Sequence, residues 1–181
     1  MIFCLLLSSC IDNPEKISTQ KKYFDLEGFF DQQVAQLYED SLIVIKTSAI
    51  NGKTDQHEMA WTDWKKELAL FYGSDINKAS YIGKYTEDTT FTNDKIIISY
   101  KATDRALRTR SIEIALDSNA SDVQLIHIVN ESSNFLSSTH EELYYEPFKS
   151  YIIRSTQKLL LFGGNTFGVK GDIVRKEKKY F

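Results

Sequence analysis

Apolar residues recur along this chain in two rhythms. From Asp25 to Tyr38, the residues Leu26, Phe29, Phe30, Val34 and Leu37 fall at i, i+3, i+4, i+8 and i+11. That spacing lays them on one face of an amphipathic helix. Asp31, Gln32 and Gln36 fill the other face, and Asp25 stands where an N-cap carboxylate accepts from free backbone amides. A second helix is predicted from Thr62 to Tyr72. Thr62 is its expected cap, Trp61, Trp64, Leu68 and Phe71 its stripe, and Gly73 its C′ residue.

The remaining pattern has the shorter period of strands. Leu42–Ile50 and Thr54–Ala60 flank Asn51-Gly52, the strongest short signal for a two-residue hairpin. Further strands are predicted at Tyr81–Phe91, Lys95–Lys101, Leu107–Leu116, Val123–Asn130, Asn134–Tyr145, Lys149–Leu160 and Thr166–Arg175. Asn93-Asp94, Asp117–Ser121, Pro147 and Gly163-Gly164-Asn165 separate them with turn chemistry. Turns this short force antiparallel neighbours, because parallel strands need a long crossover. The expected class is α+β: a long antiparallel meander, curved or half-barrel, with two helices packed on it. Periplasmic lipoprotein carriers share this order of elements, and the likeness extends no further.

The start of the chain departs from both rhythms. Ile2, Phe3, Cys4, Leu5, Leu6 and Leu7 form a short apolar run, followed by Ser8, Ser9 and Cys10. Leu7-Ser8-Ser9-Cys10 resembles the lipobox of bacterial lipoproteins: an apolar residue, two small residues, then cysteine. The resemblance implies cleavage before Cys10 and acylation of its thiol, so that residues 1–9 are a signal peptide. No Lys or Arg occurs before Lys16, so the positive region that usually opens such a signal is missing. The apolar run is far shorter than the ~20 residues that span a bilayer as a helix.

Residues 10–22 are expected to be the lipidated cysteine and a flexible tether. Ile11 to Lys22 is polar, contains Pro14 and has no periodic apolar pattern. Fully extended, those residues reach roughly 40 Å at ~3.3 Å each. Asp12 and Glu15 loosely resemble the acidic export patch of surface lipoproteins in the Bacteroidota, and the chain as a whole resembles uncharacterised envelope lipoproteins of that group. The implied place is outside the cytoplasm, on a bacterial membrane, with the outer membrane the expected one. Cys4 and Cys10 are the only cysteines. After cleavage and acylation no free thiol is left to form a disulfide or a thiolate metal site.

Residues 23–181 then form one domain, large enough to bury an ordinary core. Eleven Phe and ten Tyr supply that core, and the formal net charge of −3 argues against nucleic acid as a partner. The basic tail Arg175-Lys176-Glu177-Lys178-Lys179 fits a solvated terminus or contact with anionic lipid.

Catalytic motifs are missing. Gly-x-Ser-x-Gly does not occur, and the Ser132-Ser133 and Ser137-Ser138 pairs suit turns and strand edges. His57, His127 and His140 are dispersed, with no i, i+4 helical pair to hold a metal. His127, between Ile126 and Ile128, reads as a half-buried, satisfied strand residue. Gly163–Gly168 lacks the Gly-Lys-Ser/Thr ending of a phosphate loop. Carboxylates such as Glu141, Glu142, Asp88 and Glu113 read as surface acids. No cofactor is expected.

One segment breaks its own pattern. In Leu107–Leu116, strand alternation places Arg108, Arg110, Ile112, Ile114 and Leu116 on one face. Either the core ends at Ile112 and the arginines emerge at the sheet rim, or Arg108 and Arg110 stand at the mouth of an apolar cavity. In the second case their guanidinium forks would hold a carboxylate or phosphate headgroup, joined by Arg105 from the preceding loop.

The expected function is that of a non-enzymatic, membrane-anchored envelope lipoprotein, an interaction or accessory subunit binding an envelope protein partner. A carrier of an apolar or amphipathic ligand and an unrecognised hydrolase remain the alternatives.

Overall fold

The computed structural model describes residues 21–59, 61–161 and 163–176. The lipobox, Cys10 and most of the tether lie outside the described residues. Helix α1 spans Leu26–Glu39 and is capped by Asp25, whose carboxylate accepts from the Gly28 amide at 2.7 Å. Leu26, Phe30, Val34 and Leu37 are its buried face, as the period requires.

The second helical segment is broken in two, α2 (Trp64–Glu67) and α3 (Ala69–Tyr72). Asp63, not Thr62, caps α2; Thr62 is buried, and its hydroxyl accepts from the Val44 amide at 3.2 Å. Trp61 is 67% exposed and outside the stripe. Gly73 has φ −63, an ordinary right-handed value, so it is not the left-handed cap the sequence suggested.

Nine strands form one sheet: β1 (Leu42–Ile50), β2 (Lys53–Glu58), β3 (Tyr85–Phe91), β4 (Lys95–Ala102), β5 (Thr109–Asp117), β6 (Val123–Ser133), β7 (Ser137–Glu146), β8 (Ser150–Leu159) and β9 (Gly163–Arg175). All pairs are antiparallel, and the order is β2-β1-β9-β8-β7-β6-β5-β4-β3. The meander therefore runs from β3 to β9 only. The β1–β2 hairpin leaves that sequence and joins the far side, β1 pairing with β9 from Leu42↔Arg175 to Ile50↔Phe167. Asn51 and Gly52, at φ 47 and 84, make the left-handed two-residue turn of that hairpin. The sheet is open, with β2 and β3 at its edges.

Several strand ends differ from the sequence reading. Ala79–Tyr81 forms a 3-10 turn, and β3 begins only at Tyr85, after Gly83 at φ 81. Gly163, Gly164 and Asn165 lie inside β9 rather than before it. In β5, a register shift between Thr109 and Ser111 changes which residues face the core. Leu107 and Thr109 are buried, together with Ile112 and Ile114. The row of Arg108, Arg110 and Ile112 expected from strict alternation is thereby broken at its arginine end.

The buried face of the sheet carries Val44, Ile112, Ile114, Ile126, Ile128, Leu143, Tyr145 and Tyr151. Phe30 of α1 meets Tyr145 with ring centroids 5.0 Å apart and Phe71 of α3 at 5.3 Å. The Tyr145 hydroxyl donates to Gln33 at 3.1 Å, and that of Tyr151 donates to Glu67, which also pairs with Lys46 at 2.6 Å. Burial pushes both phenols far above their ordinary range, and for Tyr151 the Glu67 carboxylate adds to it. Both therefore act as neutral donors near neutral pH. Among the described residues, no helix is long and apolar enough to cross a membrane.

Candidate binding site

Strand alternation builds the site. Ile128 and Leu143 point into the core, so Glu131 and Ser133 on β6, and Ser138 and His140 on β7, project from the opposite face. Glu131↔His140↔Thr156 and Ser133↔Ser138↔Lys158 form two rows across β6, β7 and β8. The β4–β5 loop closes the side with Arg105 and Ala106, and the result is a pocket of 590 Å³. Ser132, Thr139 and Arg108 complete its lining. A second cleft of 440 Å³ continues from it, sharing His140 and Thr156 and extending over Glu142, Arg154 and Phe167. The two make a polar trough at this end of the sheet, with Glu131, Ser133, Ser138, His140, Thr156 and Lys158 on the face away from the helices and Arg108, Ser132 and Thr139 on the other.

The three arginines singled out by the sequence have different places. Arg105 is exposed, lines the pocket and makes no ion pair among the described residues. Arg108 also lines it, but its guanidinium is committed, donating to Glu141 at 2.7 Å. Arg110 is outside the lining. It donates to the Asp104 carbonyl at 2.5 Å and the Leu107 carbonyl at 3.4 Å, and lies 3.7 Å from Glu131. It thus ties down the loop that carries Arg105. Ile112 is packed in the core and lines neither cleft.

Lys158 is not singled out by the sequence. It faces the pocket from β8 and, like Arg105, makes no ion pair among the described residues. His140 is held between carboxylates, Nδ1 3.2 Å from Glu131 and Nε2 3.7 Å from Glu142. Neither nitrogen is paired with a serine hydroxyl. His127 stacks flat on Tyr144 at 4.3 Å, and its Nδ1 lies 3.6 Å from Glu113. Its buried Nε2 has no partner, so the satisfied residue expected from sequence is only half satisfied. His57 sits on β2 beside Asp55 at 2.8 Å. The only sequence signal for the trough is the clustering of hydroxyl residues in β6 to β8, at Ser132-Ser133, Ser137–Thr139 and Ser155-Thr156, which also suits any exposed sheet face.

A buried polar node supports the pocket from behind. Asn130 donates to Ser74 Oγ at 2.9 Å, Thr109 donates to the Ser74 carbonyl at 3.2 Å, and Ser74 donates to the Leu70 carbonyl at 2.8 Å. The end of α3 is thereby fixed to the shifted register of β5 and β6.

No family model matches this chain, and no curated protein does. Among solved structures, it is similar to an S-type phycobiliprotein lyase from Guillardia theta, at 10% identity and a TM-score of 0.27, over 86% of this chain and 99% of that one. A likeness at that score assigns neither fold nor ligand.

Proposed function

We propose that this protein is a non-enzymatic envelope lipoprotein, anchored to a bacterial membrane through acylated Cys10, that acts as an interaction or accessory protein. Its curved sheet presents the trough to a partner carrying a carboxylate or phosphate group. One observation carries this reading: Arg105 and Lys158, two cations without ion pairs among the described residues, flank a floor of serine and threonine hydroxyls. Cations and hydroxyl donors together suit an anionic group that keeps part of its hydration.

The carrier alternative uses the same residues for the headgroup of an amphipathic ligand. Its tail would lie over the small cleft between Leu136 and Leu160, which shares Ser138 and Lys158 with the trough. A hydrolase is less well supported, because His140 faces Glu131 and Glu142 rather than a serine.

Two measurements test the proposal. In cells, the protein should take up labelled fatty acid and Cys10→Ala should not; label retained by Cys10→Ala, or none on the native chain, rejects the lipid anchor. In vitro, titration with inorganic phosphate and with acetate, followed by NMR, should perturb the amides of Ser133, Ser138 and Thr156. Arg105→Ala with Lys158→Ala should weaken that binding by roughly 1.5–3 kcal/mol per lost charged hydrogen bond. Perturbations spread evenly over the surface would reject the trough as the site.

A further inference from the structure

The antiparallel register gathers several turns at one end of the sheet. The end of β6 and start of β7, the end of β8 and start of β9, and the end of β1 and start of β2 all lie there. The β6–β7 tip carries Phe135 and Leu136, 87% and 61% exposed, and the β8–β9 tip carries Leu160 and Leu161, 65% and 79% exposed. These two tips are joined, the Leu160 amide donating to the Leu136 carbonyl at 3.0 Å. Four large apolar side chains protruding together from adjacent hairpins form a patch that needs a partner.

We infer that these two tips insert into the interfacial layer of a lipid bilayer, giving the domain a membrane contact of its own. Three observations choose lipid over protein as the occupant. The patch stands on two hairpin tips at the end of the sheet, able to enter a fluid layer, and the cleft of 230 Å³ within it is too small to receive a protein segment.

Several backbone groups of the first tip are already paired. Asn134 Oδ1 accepts from the Leu136 and Ser137 amides at 2.8 and 2.9 Å, and the Asn134 amide donates to the Ser137 carbonyl at 2.8 Å. With the Leu160 amide also bonded, entry into a poorly hydrating layer strands none of these groups. Lastly, Lys158 lines the cleft between the tips, where a cation meets anionic headgroups, and residues 134–136 and 160–161 contain no acid.

The chain's entry point agrees with this orientation. The Gly83 amide donates to the Tyr23 hydroxyl at 2.9 Å, just before β3, and Tyr85 pairs with Ala102 at the same sheet end. The segment from Cys10 to Lys21 can span roughly 35 Å at ~3.3 Å per residue. Given the acylation proposed above, which the tips themselves do not require, anchor and tips reach one bilayer together.

The test separates the tips from the anchor. The full chain bearing Cys10→Ala and Phe135→Trp is mixed with phosphatidylcholine vesicles containing about a quarter phosphatidylglycerol. The spectrum of Cys10→Ala alone, with its native Trp61 and Trp64, is subtracted. A blue shift of the added indole and its quenching by lipids brominated on their acyl chains are expected. Leu136→Asp with Leu160→Asp should lower vesicle binding roughly tenfold, with folding checked by circular dichroism. A chain that sediments with vesicles while the signal of the added indole stays unshifted overturns the inference, since binding then resides elsewhere. So does a blue shift that needs no vesicles and grows with protein concentration, which would assign the tips to a second copy of the chain.

Discussion

The ring of Tyr151 lies over the backbone of Gly171, its cross-strand partner in the β8–β9 ladder. A methyl group at 171 would fall inside the ring, so glycine is what allows Tyr151 to lie flat on the sheet and reach Glu67. Gly171→Ala should therefore destabilise the domain by about 1–3 kcal/mol, the usual cost of overpacking. Gly168→Ala is the control: its nearest neighbour would be the Ala49 methyl at 3.7 Å, an ordinary contact. Urea denaturation of the two variants should give a large shift for the first and almost none for the second.

The Ser74–Asn130–Thr109 node makes a second prediction. Asn130 is 1% exposed, and its amide donates to Ser74 Oγ inside the fold. Asn130→Ala should cost about 1–3 kcal/mol, because it removes a buried hydrogen bond and opens space behind the pocket. Thermal melts should show the loss, and Ser133→Ala, on the exposed face, should melt like wild type.

Arg108 reads in the sequence as a cation at the sheet rim or at a cavity mouth, and Glu141 as a surface acid. They are a pair, with the Glu141 side chain only 16% exposed. Arg108→Ala should thus cost stability, about 1–2 kcal/mol after allowing for solvent around the arginine. Adding Glu141→Ala should cost less than the sum of the two single changes. Strict additivity in this cycle would mean the pair carries no coupling.

Acid should weaken the domain at its caps and turns. Burial alone would raise the Asp25 carboxyl, but hydrogen bonds from Lys21 and the Gly28 amide outweigh it and hold the group below its ordinary value. Asp117 is lowered by the Asp122 amide and the Ser121 hydroxyl and amide. A carboxyl lowered in the fold is protonated first in the unfolded chain. The stability it contributes is therefore complete above the unfolded pKa of about 3.9 and is lost as pH falls through the lower folded value. Asp25→Ala should remove about 1 kcal/mol near neutrality and flatten the acid limb of the stability curve, both readable from melts between pH 2 and about 6.

Helix α1 and most strands are legible in the sequence because each obeys one local period over several residues. The place of the β1–β2 hairpin is not. Turn chemistry at Asn51-Gly52 fixes who pairs within the hairpin but says nothing about which outer strand accepts it. Alternation misreads the core-facing set of β5 for a similar reason: it assumes an unbroken ladder, and the shift between Thr109 and Ser111 is a matter of how β5 pairs with Asn130 and Val129 of β6, which β5's own sequence does not show. The trough is the least legible feature. Its cations come from a loop and from the far end of β8, and only the assembled sheet makes Arg105 and Lys158 neighbours of one pocket.

The pairing of β1 with β9 also governs how the chain can fold. The first strand must stay unpaired on one side until the last arrives, a contact that spans nearly the whole domain, as Leu42↔Arg175 illustrates. Contacts of such separation carry a large loop-closure cost and slow the search for the native state. Local meander pairs from β3 to β8 can form early, yet they present the open side of β8 to any other chain until β9 docks. Shortening the chain before Gly163 would expose two sticky strand edges at once, those of β1 and β8. Residues of the final strand therefore decide whether the protein is made as a single folded body or lost to aggregation.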